Sequence, residues 1–160
     1  MANYLGICLE LSGFRPSQYA SYNFNSMCKF GDKYLGANEN GIFELDNGDL
    51  DGLADVDAFF ELATSDFGSA NQKRIRSAYI GYEANGDLLL TVKDDEDNER
   101  TFNLEANHLD NMQHSAKVPI GRNGKGRYYT FRFDNIAGSD FSVDSIKIIP
   151  VILNRKPSKS

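Results

Sequence analysis

An acidic segment close to residue 50 has residue types and a spacing that could bind calcium. Asn47, Asp49 and Asp51 alternate ahead of Gly52. In calcium-binding loops, alternate oxygen ligands converge on one ion, and a glycine permits the sharp turn. The later position that should supply a bidentate glutamate is Ala58. Asn47, Asp49 and Asp51 are therefore an incomplete calcium candidate, and a solvated acidic linker is the other interpretation of this segment.

No other group of residues in the sequence has the pattern of a catalytic or cofactor-binding site. The two histidines, His108 and His114, lie in a polar stretch without a nearby cysteine, and we expect both to be exposed loop residues. The glycine-rich segment 121–126 leads into a predicted strand, whereas a phosphate-binding loop leads into the N-terminus of a helix. A nucleophile with a neighbouring general base is not evident. We therefore predict no catalytic residue, no cofactor and no enzymatic activity.

Charge and composition disfavour several classes of protein. The 160 residues carry a formal net charge of −6, which argues against nucleic-acid binding because neutralising phosphates requires clustered lysine and arginine. The two cysteines, Cys8 and Cys28, are too few for a disulfide scaffold and suit a reducing compartment. The longest strongly apolar run, residues 146–153, is much shorter than the roughly 20 residues that cross a membrane. We expect no direct contact with nucleic acid or with a membrane.

The distribution of residue types predicts β-structure along most of the chain. Tyrosine, phenylalanine, isoleucine, valine and threonine occur in short runs separated by glycine, asparagine and aspartate. From about residue 55 onward, strand and turn signals alternate with the rhythm that is typical of an antiparallel sandwich. The sequence therefore predicts an all-β fold: an antiparallel β-sandwich or jelly-roll-like domain preceded by a small β-meander.

Alternation and turn residues predict individual strands. Residues 75–92 predict a hairpin with a type I′ turn at Asn85-Gly86. Residues 58–64 are compatible with a helix or a strand, and we favour a strand because β-structure surrounds them. A bulge is expected near Ser145 in the last strand. The aromatic residues expected to point into the core are Tyr129, Phe131 and Phe133.

The chain is predicted to comprise three segments. Residues 1–54 form an N-terminal β-hairpin or meander segment that ends in the acidic linker. Residues 55–153 form the β-sandwich domain. Residues 154–160 form a short basic tail that contains proline and serine.

Arginine and tyrosine side chains on outward-facing positions are the candidates for protein contacts, because both residue types are enriched at interface hot spots. The candidates are Arg74, Arg76, Tyr128 and Arg132. Solvated strand faces are the other interpretation of these residues. Recognition of a host-surface glycan is an alternative function, because sandwich modules stack sugar rings on exposed aromatics. The absence of tryptophan counts against it, and the tyrosines that could serve are Tyr79, Tyr82 and Tyr128.

An ordered series of segments over about residues 20–155 resembles a family of virion structural proteins of tailed bacteriophages. The N-terminal part of the resemblance consists of Tyr22-Asn23-Phe24-Asn25-Ser26, Lys33-Tyr34-Leu35-Gly36-Ala37-Asn38, Gly41-Ile42-Phe43-Glu44-Leu45, Asp66-Phe67-Gly68-Ser69, Lys73-Arg74-Ile75-Arg76 and Tyr79-Ile80-Gly81-Tyr82. The C-terminal part consists of Gly126-Arg127-Tyr128-Tyr129-Thr130-Phe131, Gly138-Ser139-Asp140-Phe141 and Asp144-Ser145-Ile146-Lys147-Ile148-Ile149-Pro150-Val151. These segments have the residue pattern of β-strands and include no catalytic residue.

The resemblance implies a non-enzymatic part of a phage particle that is assembled in the host cytoplasm. The tail, the tail tip and the neck or collar are the implied positions, with several copies per particle. The implied partners are copies of the same chain and other virion proteins. Family members often carry more β-structure ahead of the Tyr-Asn-x-Phe-Asn-Ser segment, whereas only about twenty residues precede it here.

Overall fold

The structure is a computed structural model that describes residues 4–20, 22–45, 50–51, 54–106, 113–121 and 124–153, with the backbone alone for residues 50 and 51. The described residues form antiparallel strands and no helix, which confirms the predicted all-β class. The chain divides into two compact units, Met1–Gly48 and Asp49–Ser160.

The N-terminal unit contains two small sheets. The strands are β1 (Leu5–Leu9), β2 (Pro16–Ala20), β3 (Ser26–Phe30), β4 (Lys33–Asn38) and β5 (Gly41–Leu45). Strands β1 and β2 form a hairpin, and β3, β4 and β5 form a meander. The meander turns tightly at Gly31, whose φ of 60° lies in the left-handed region that favours glycine. The sequence did not predict β2, because its one large apolar residue is Tyr19.

The C-terminal unit contains the sandwich. Its strands are β6 (Leu50–Asp51), β7 (Ala54–Asp55), β8 (Phe59–Glu61), β9 (Lys73–Ala84), β10 (Leu88–Asp94), β11 (Glu99–Leu104), β12 (Gln113–Val118), β13 (Tyr129–Asn135) and β14 (Phe141–Ile152). Strands β6 and β7 pair with each other. One larger sheet has the order β11-β10-β13-β8, and the other has the order β12-β9-β14. Strand β8 confirms the predicted strand within residues 58–64, although it is shorter than that segment.

One hydrophobic core joins the two larger sheets, as expected of a β-sandwich. Strand alternation sends Leu88, Leu90 and Val92 of β10 inward, and all three are fully buried. The predicted inward residues of β13 are confirmed as core residues, and the ring of Phe133 stacks on Phe60 of β8 at 4.8 Å. The opposite sheet contributes Ile75, Ala78, Ile80, Tyr82 and Ala84 of β9.

The predicted hairpin over residues 75–92 is wrong. Strands β9 and β10 belong to different sheets, and the turn between them carries the chain across the core instead of back along the same sheet. Gly86 has no left-handed φ, so Asn85-Gly86 is not a type I′ turn. The Asn85 N–H donates to Asp140 O, at 3.2 Å, instead of closing a hairpin. The physical reason is that β9 and β10 each have a strongly apolar face, and both faces are buried when the strands lie opposite each other across the core.

Strand β14 contains the bulge that was predicted near Ser145. Its register with β9 shifts between Val143 and Ser145, which leaves Asp144 as the extra residue. Side-chain oxygens of Asp144 and Ser145 lie against Gly81 of β9, at a place where any Cβ would overlap them. Pro150 lies on β14, an edge strand of its sheet, where its missing N–H is tolerated.

A buried lysine fastens one end of the sandwich, and the sequence did not predict it. Lys73 is fully buried at the start of β9. Its ammonium donates to the backbone oxygen of Ser69, at 2.8 Å, and to that of Arg127. The Tyr129 hydroxyl donates to Lys73 O and accepts from the Gly126 N–H, both at 2.8 Å. Burial raises the pKa of Tyr129 above its ordinary value, so the hydroxyl keeps its proton.

Replacing Tyr129 by phenylalanine tests this buried contact. We expect Tyr129→Phe to lower the free energy of unfolding by about 0.5–1.5 kcal/mol, because it removes the hydroxyl's two buried hydrogen bonds, whereas the Gly126 N–H and Lys73 O still bond to each other at 3.1 Å. Tyr128→Phe is the matched control, since the neighbouring tyrosine is exposed. Urea unfolding followed by circular dichroism measures both changes, and equal values for the two variants would contradict the role of the Tyr129 hydroxyl.

Candidate interaction surfaces

The N-terminal unit exposes large apolar side chains in an unusual proportion. Among its described residues, Gly36 is the one that is buried. Ile7, Phe30 and Ile42 are exposed to 76%, 75% and 75%. The other large apolar residues exposed in this unit are Tyr4, Leu5, Leu9, Leu11, Phe14, Tyr19, Met27, Tyr34 and Phe43. Exposed apolar side chains that lie together in large patches typically mark an interaction site.

Aromatic rings cover part of one side of each small sheet. The Tyr22 ring lies on Gly6 of β1, and the Phe24 ring lies on Gly36 of β4; a Cβ added at either glycine would come within 2.8 Å and 2.7 Å of the ring. The two rings meet edge to face, with centroids 5.1 Å apart. Phe24 also contacts Phe43, at 5.8 Å between centroids. This aromatic row joins the hairpin to the meander.

The opposite side of each sheet is aliphatic and uncovered. On the hairpin it consists of Leu5, Ile7 and Leu9, which alternate with Gly6 and Cys8 along β1. On the meander it consists of the side chains that point away from Phe24. The register places Cys28, Phe30, Leu35, Ala37 and Ile42 on this side, together with the paired charges Lys33 and Glu44. We use the name aliphatic face for each of the two patches, one on the hairpin and one on the meander.

The four predicted contact residues do not form one surface. Arg74 and Arg76 lie on the outer side of β9, where Arg76 is the extra residue at a second register shift against β14. Arg132 lies on the outer side of β13, in the other sheet of the sandwich. The outer sides of the two sheets face away from each other, so Arg132 cannot share a contact patch with Arg74 and Arg76. Tyr128 is exposed immediately before β13.

Arg132 is held in place by its own neighbours. Its guanidinium makes paired hydrogen bonds of 2.6–3.1 Å to the Asp134 carboxylate. The same group lies 3.8 Å from the ring centroid of Phe59, which is itself exposed. The Asp134 carboxylate raises the pKa of Arg132 above its ordinary value. Arg132 and Phe59 therefore present a rigid, permanently charged patch on the outer side of their sheet.

The three tyrosines that could bind a glycan differ in their surroundings. Tyr82 is buried, with 1% exposure, and its hydroxyl donates to Glu105 O at 2.9 Å; its assignment as an outward residue is wrong. Tyr79 is 42% exposed, but the Lys117 ammonium lies 5.7 Å from its ring centroid. Tyr128 is 44% exposed. Of the three tyrosines, Tyr128 offers the freest ring.

A groove of about 510 Å³ runs between the edge strands β11 and β12. Its lining includes Tyr82, Phe102, Leu104, Ala116 and Val118, all of which belong to the core or pack against it. The groove is therefore the open side of the sandwich, and the charged residues in its lining are Glu105 and Lys117.

His114 is buried in β12, which corrects its assignment as an exposed loop residue. The strand turns its imidazole inward, onto the Tyr82 ring, with centroids 5.4 Å apart. His108 lies outside the described residues. So do Asn47 and Asp49 of the calcium candidate, and only the backbone of Asp51 is described. Within the part of the chain that the structure describes, no group of three or more His, Cys, Asp or Glu side chains is placed to hold a metal ion.

Comparison with known proteins returned no relative: no protein-family model, curated protein or solved structure matches the chain. Within the described ranges, no helix has the length and apolar character needed to span a membrane.

Asp87 connects the start of β10 to the segment after β11, next to the groove. Its carboxylate accepts hydrogen bonds from the Ala106 N–H, at 2.9 Å, and from the Asn103 side chain, at 3.1 Å. The bond from Ala106, followed by that from Asn103, holds the pKa of Asp87 below its ordinary value. A carboxyl group of this kind stabilises the folded state at every pH above its unfolded pKa, and the stabilisation is lost as the pH falls through its folded pKa.

We therefore expect Asp87→Asn to be less stable than the unmodified protein at neutral pH, with a difference that shrinks as the solution is acidified. Asp140→Asn is the control, because Asp140 is an exposed residue of the nearby β13–β14 connection. Urea unfolding at a series of pH values measures the difference. A difference that did not change with pH would show that Asp87 does not act through its charge.

Proposed function

We propose that this chain is a non-enzymatic structural component of a tailed-bacteriophage virion, in the tail, the tail tip or the neck. It is assembled in the host cytoplasm, and it contacts copies of itself and other virion proteins repeatedly through its surface. The proposed particle and the proposed positions within it rest on the ordered strand segments that resemble the virion family.

The exposed apolar surface of the N-terminal unit is the observation that carries this proposal. Isolated two-stranded hairpins are marginal in water, and a small sheet needs a second layer against its apolar face. Ile7, Phe30 and Ile42 are each about three-quarters exposed, and burying a side chain of this size stabilises by roughly 1.5–3 kcal/mol. A unit built in this way reaches its full stability only when other protein covers it, which is the normal situation of a part in a particle.

The sandwich, in contrast to the N-terminal unit, is a rigid body. Its two sheets share a closed apolar core, and the buried Lys73 and Tyr129 fasten one end. Aromatic rings and tightly hydrogen-bonded polar groups specify a single packing. A rigid body combined with a unit that is stabilised by association suits a repeated structural part.

Recognition of a host-surface glycan remains the alternative function. Tyr128 is the residue that favours it, because its ring is exposed and next to Arg127. Two of the three candidate tyrosines argue against glycan binding. Tyr82 is buried in the core, and the Lys117 ammonium lies over the ring of Tyr79. A glycan array would support it through saturable binding that Tyr128→Ala abolishes.

The proposal predicts that the chain is found in purified particles of its source at a fixed ratio to the major capsid protein. Quantitative mass spectrometry of gradient-purified particles measures that ratio, and cryo-electron microscopy of the same particles locates the copies. We expect a ring or collar of copies on the tail or neck. Absence of the chain from intact particles would overturn the proposal and favour the glycan alternative.

A further inference from the structure

We propose that copies of this chain bind one another head to tail through opposite charges. The acidic turn of one copy (residues 94–99, between β10 and β11) binds the basic strip of the next, which lies on the outer side of the sheet β12-β9-β14 and consists of Arg74, Arg76, Lys117 and Lys147. The inference deepens the proposed function and rests on it for the biological setting, because it names one of the repeated contacts between copies.

The basic strip lies on one side of one sheet. Tyr79, in the middle of β9, has Lys117 of β12 as its partner on one side and Lys147 of β14 on the other. Directly paired residues of neighbouring strands lie on the same side of a sheet, so the exposed Tyr79 ring is flanked by two exposed lysines. Arg74 and Arg76 follow on the same side, towards the start of β9.

The cations of the basic strip have no carboxylate of their own. Among the described residues, no acidic side chain lies within ion-pair distance of any of the four. The outward cations of the other sheet differ, because Lys93 pairs with Asp97 at 2.8 Å. Arg132 likewise pairs with Asp134 at 2.6 Å. Four uncompensated cations on one side of an acidic chain indicate an anionic partner from outside that copy.

The acidic turn is the complementary surface, and it belongs to the same chain. Its exposed carboxylates are those of Asp95, Glu96, Asp97 and Glu99. The buried Asp94 fixes the shape of the turn, because its carboxylate accepts hydrogen bonds from the N–H groups of Glu96 and Asn98, both at 3.0 Å. A turn that is held in this way loses little conformational freedom when it binds.

The basic strip is large enough to hold the acidic turn. A strand rises about 3.3 Å per residue, so the strip extends roughly 15 Å from Arg74 to the row of Tyr79. The two strands that meet in the turn are about 5 Å apart, so several carboxylates of the tip can reach the strip together. The acidic residues on the same side of the sheet, Glu83 and Asp144, lie towards the opposite end of β9 from Arg74.

Charge favours a second copy over a long polyanion. A nucleic acid or an acidic polysaccharide that lay along the strip would also pass the rest of the chain, whose net charge of −6 repels it. The acidic turn, in contrast, brings a few carboxylates to the strip alone. Among the described residues of one copy, the exposed carboxylates of the turn bond to Lys93 and to the Arg127 N–H, and to none of the strip cations.

A contact of this kind joins the copies in a defined way. Each copy presents both surfaces, so the acidic turn of one copy binds the strip of the next, and its own strip binds the turn of a third. Such head-to-tail contacts produce a ring when the rotation between copies closes, and a helical filament when it does not. The association should weaken as salt is raised from about 0.1 M to about 1 M, because the screening length falls from about 10 Å to about 3 Å.

The experiment reverses each surface separately in the full-length chain at low ionic strength. The strip variant carries Lys117→Glu and Lys147→Glu, and the turn variant carries Glu96→Lys and Glu99→Lys. Sedimentation velocity over a range of protein concentrations measures association. Each variant alone should associate at least tenfold more weakly than the unmodified protein, because like charges then meet at the contact.

A matched control separates the position of the charges from the net charge. Arg15→Glu combined with Lys29→Glu changes the net charge by the same amount as the strip variant, but at exposed residues of the N-terminal unit. This control should associate like the unmodified protein. A control that loses association as strongly as the strip variant would overturn the inference, because net charge alone would then explain the loss.

An equimolar mixture of the strip variant and the turn variant tests the contact directly. In the mixture, the basic turn of one variant meets the acidic strip of the other, and the unmodified turn and strip also meet, so every mixed contact joins unlike charges. We therefore expect the mixture to recover association that neither variant has alone. Circular dichroism verifies that both variants are folded, and a folded mixture without association would overturn the inference.

The outcomes separate this inference from the proposed function. A chain that stays monomeric at low salt at every attainable concentration overturns the contact between copies. Saturable binding of heparin that the strip variant abolishes, without association between copies, would assign the strip to an anionic polymer instead. In both cases, detection of the chain in particles would still support the virion role. Recovery of association in the mixture, combined with absence of the chain from particles, would uphold the contact and overturn the virion role.

Discussion

The apolar faces of strands β9 and β10 meet across one core, and the remaining elements of Asp49–Ser160 depend on that contact. Strand β13 lies beside β10 because its three inward aromatic rings extend the same apolar face. Strand β14 lies beside β9 and extends its apolar face with Val143, Ile146 and Ile148, which pack against the core. The contact also explains why Lys73 is buried. Strand β9 begins at Lys73, inside the sandwich, so the lysine side chain lies among the core residues.

In the N-terminal unit, the apolar side chains of the strands are buried only in part. Its glycines allow Tyr22 and Phe24 to approach the backbone closely, so one face of each small sheet is partly covered from within the unit. Among the described residues of the unit, the aliphatic side chains of the other face stay exposed. Both units are therefore built from strands with alternating apolar residues. The sandwich buries these residues between its own two sheets, whereas the N-terminal unit leaves many of them exposed.

Much of the fold could be predicted from the sequence, because strand alternation is a local property. The inward positions of β13, the strand within residues 58–64 and the bulge near Ser145 all follow from the order of apolar and polar residues. The partner of each strand does not follow from it. The segment 75–92 predicts two strands correctly, but neighbouring strands in a chain can pair within one sheet or face each other across a core, and local turn residues do not decide between these outcomes.

The candidate surfaces were harder to predict. Arg74, Arg76 and Arg132 look alike in the sequence, but the two sheets direct them away from each other. His114 and Tyr82 read as outward residues, and only the pairing of β12 with β9 shows that both side chains lie inward. The aliphatic face left no distinct signal, because a strand that is covered and a strand that is uncovered have the same composition. The regular alternation of Leu5, Ile7 and Leu9 was the available hint.

The two register shifts between β9 and β14 have a consequence for how these strands can change in length. Asp144 is an extra residue in β14 and Arg76 is an extra residue in β9, and both strands are 12 residues long. The shifts compensate, so Lys73 and Ile152 at one end and Ala84 and Phe141 at the other end are again direct partners. The residues on both sides of each bulge already pair in step with the partner strand, so deletion of either extra residue alone would turn the bulge into a regular ladder and keep the inward and outward sides. Each bulge is therefore a place where one of these strands can lose a residue on its own without changing which side chains face the core.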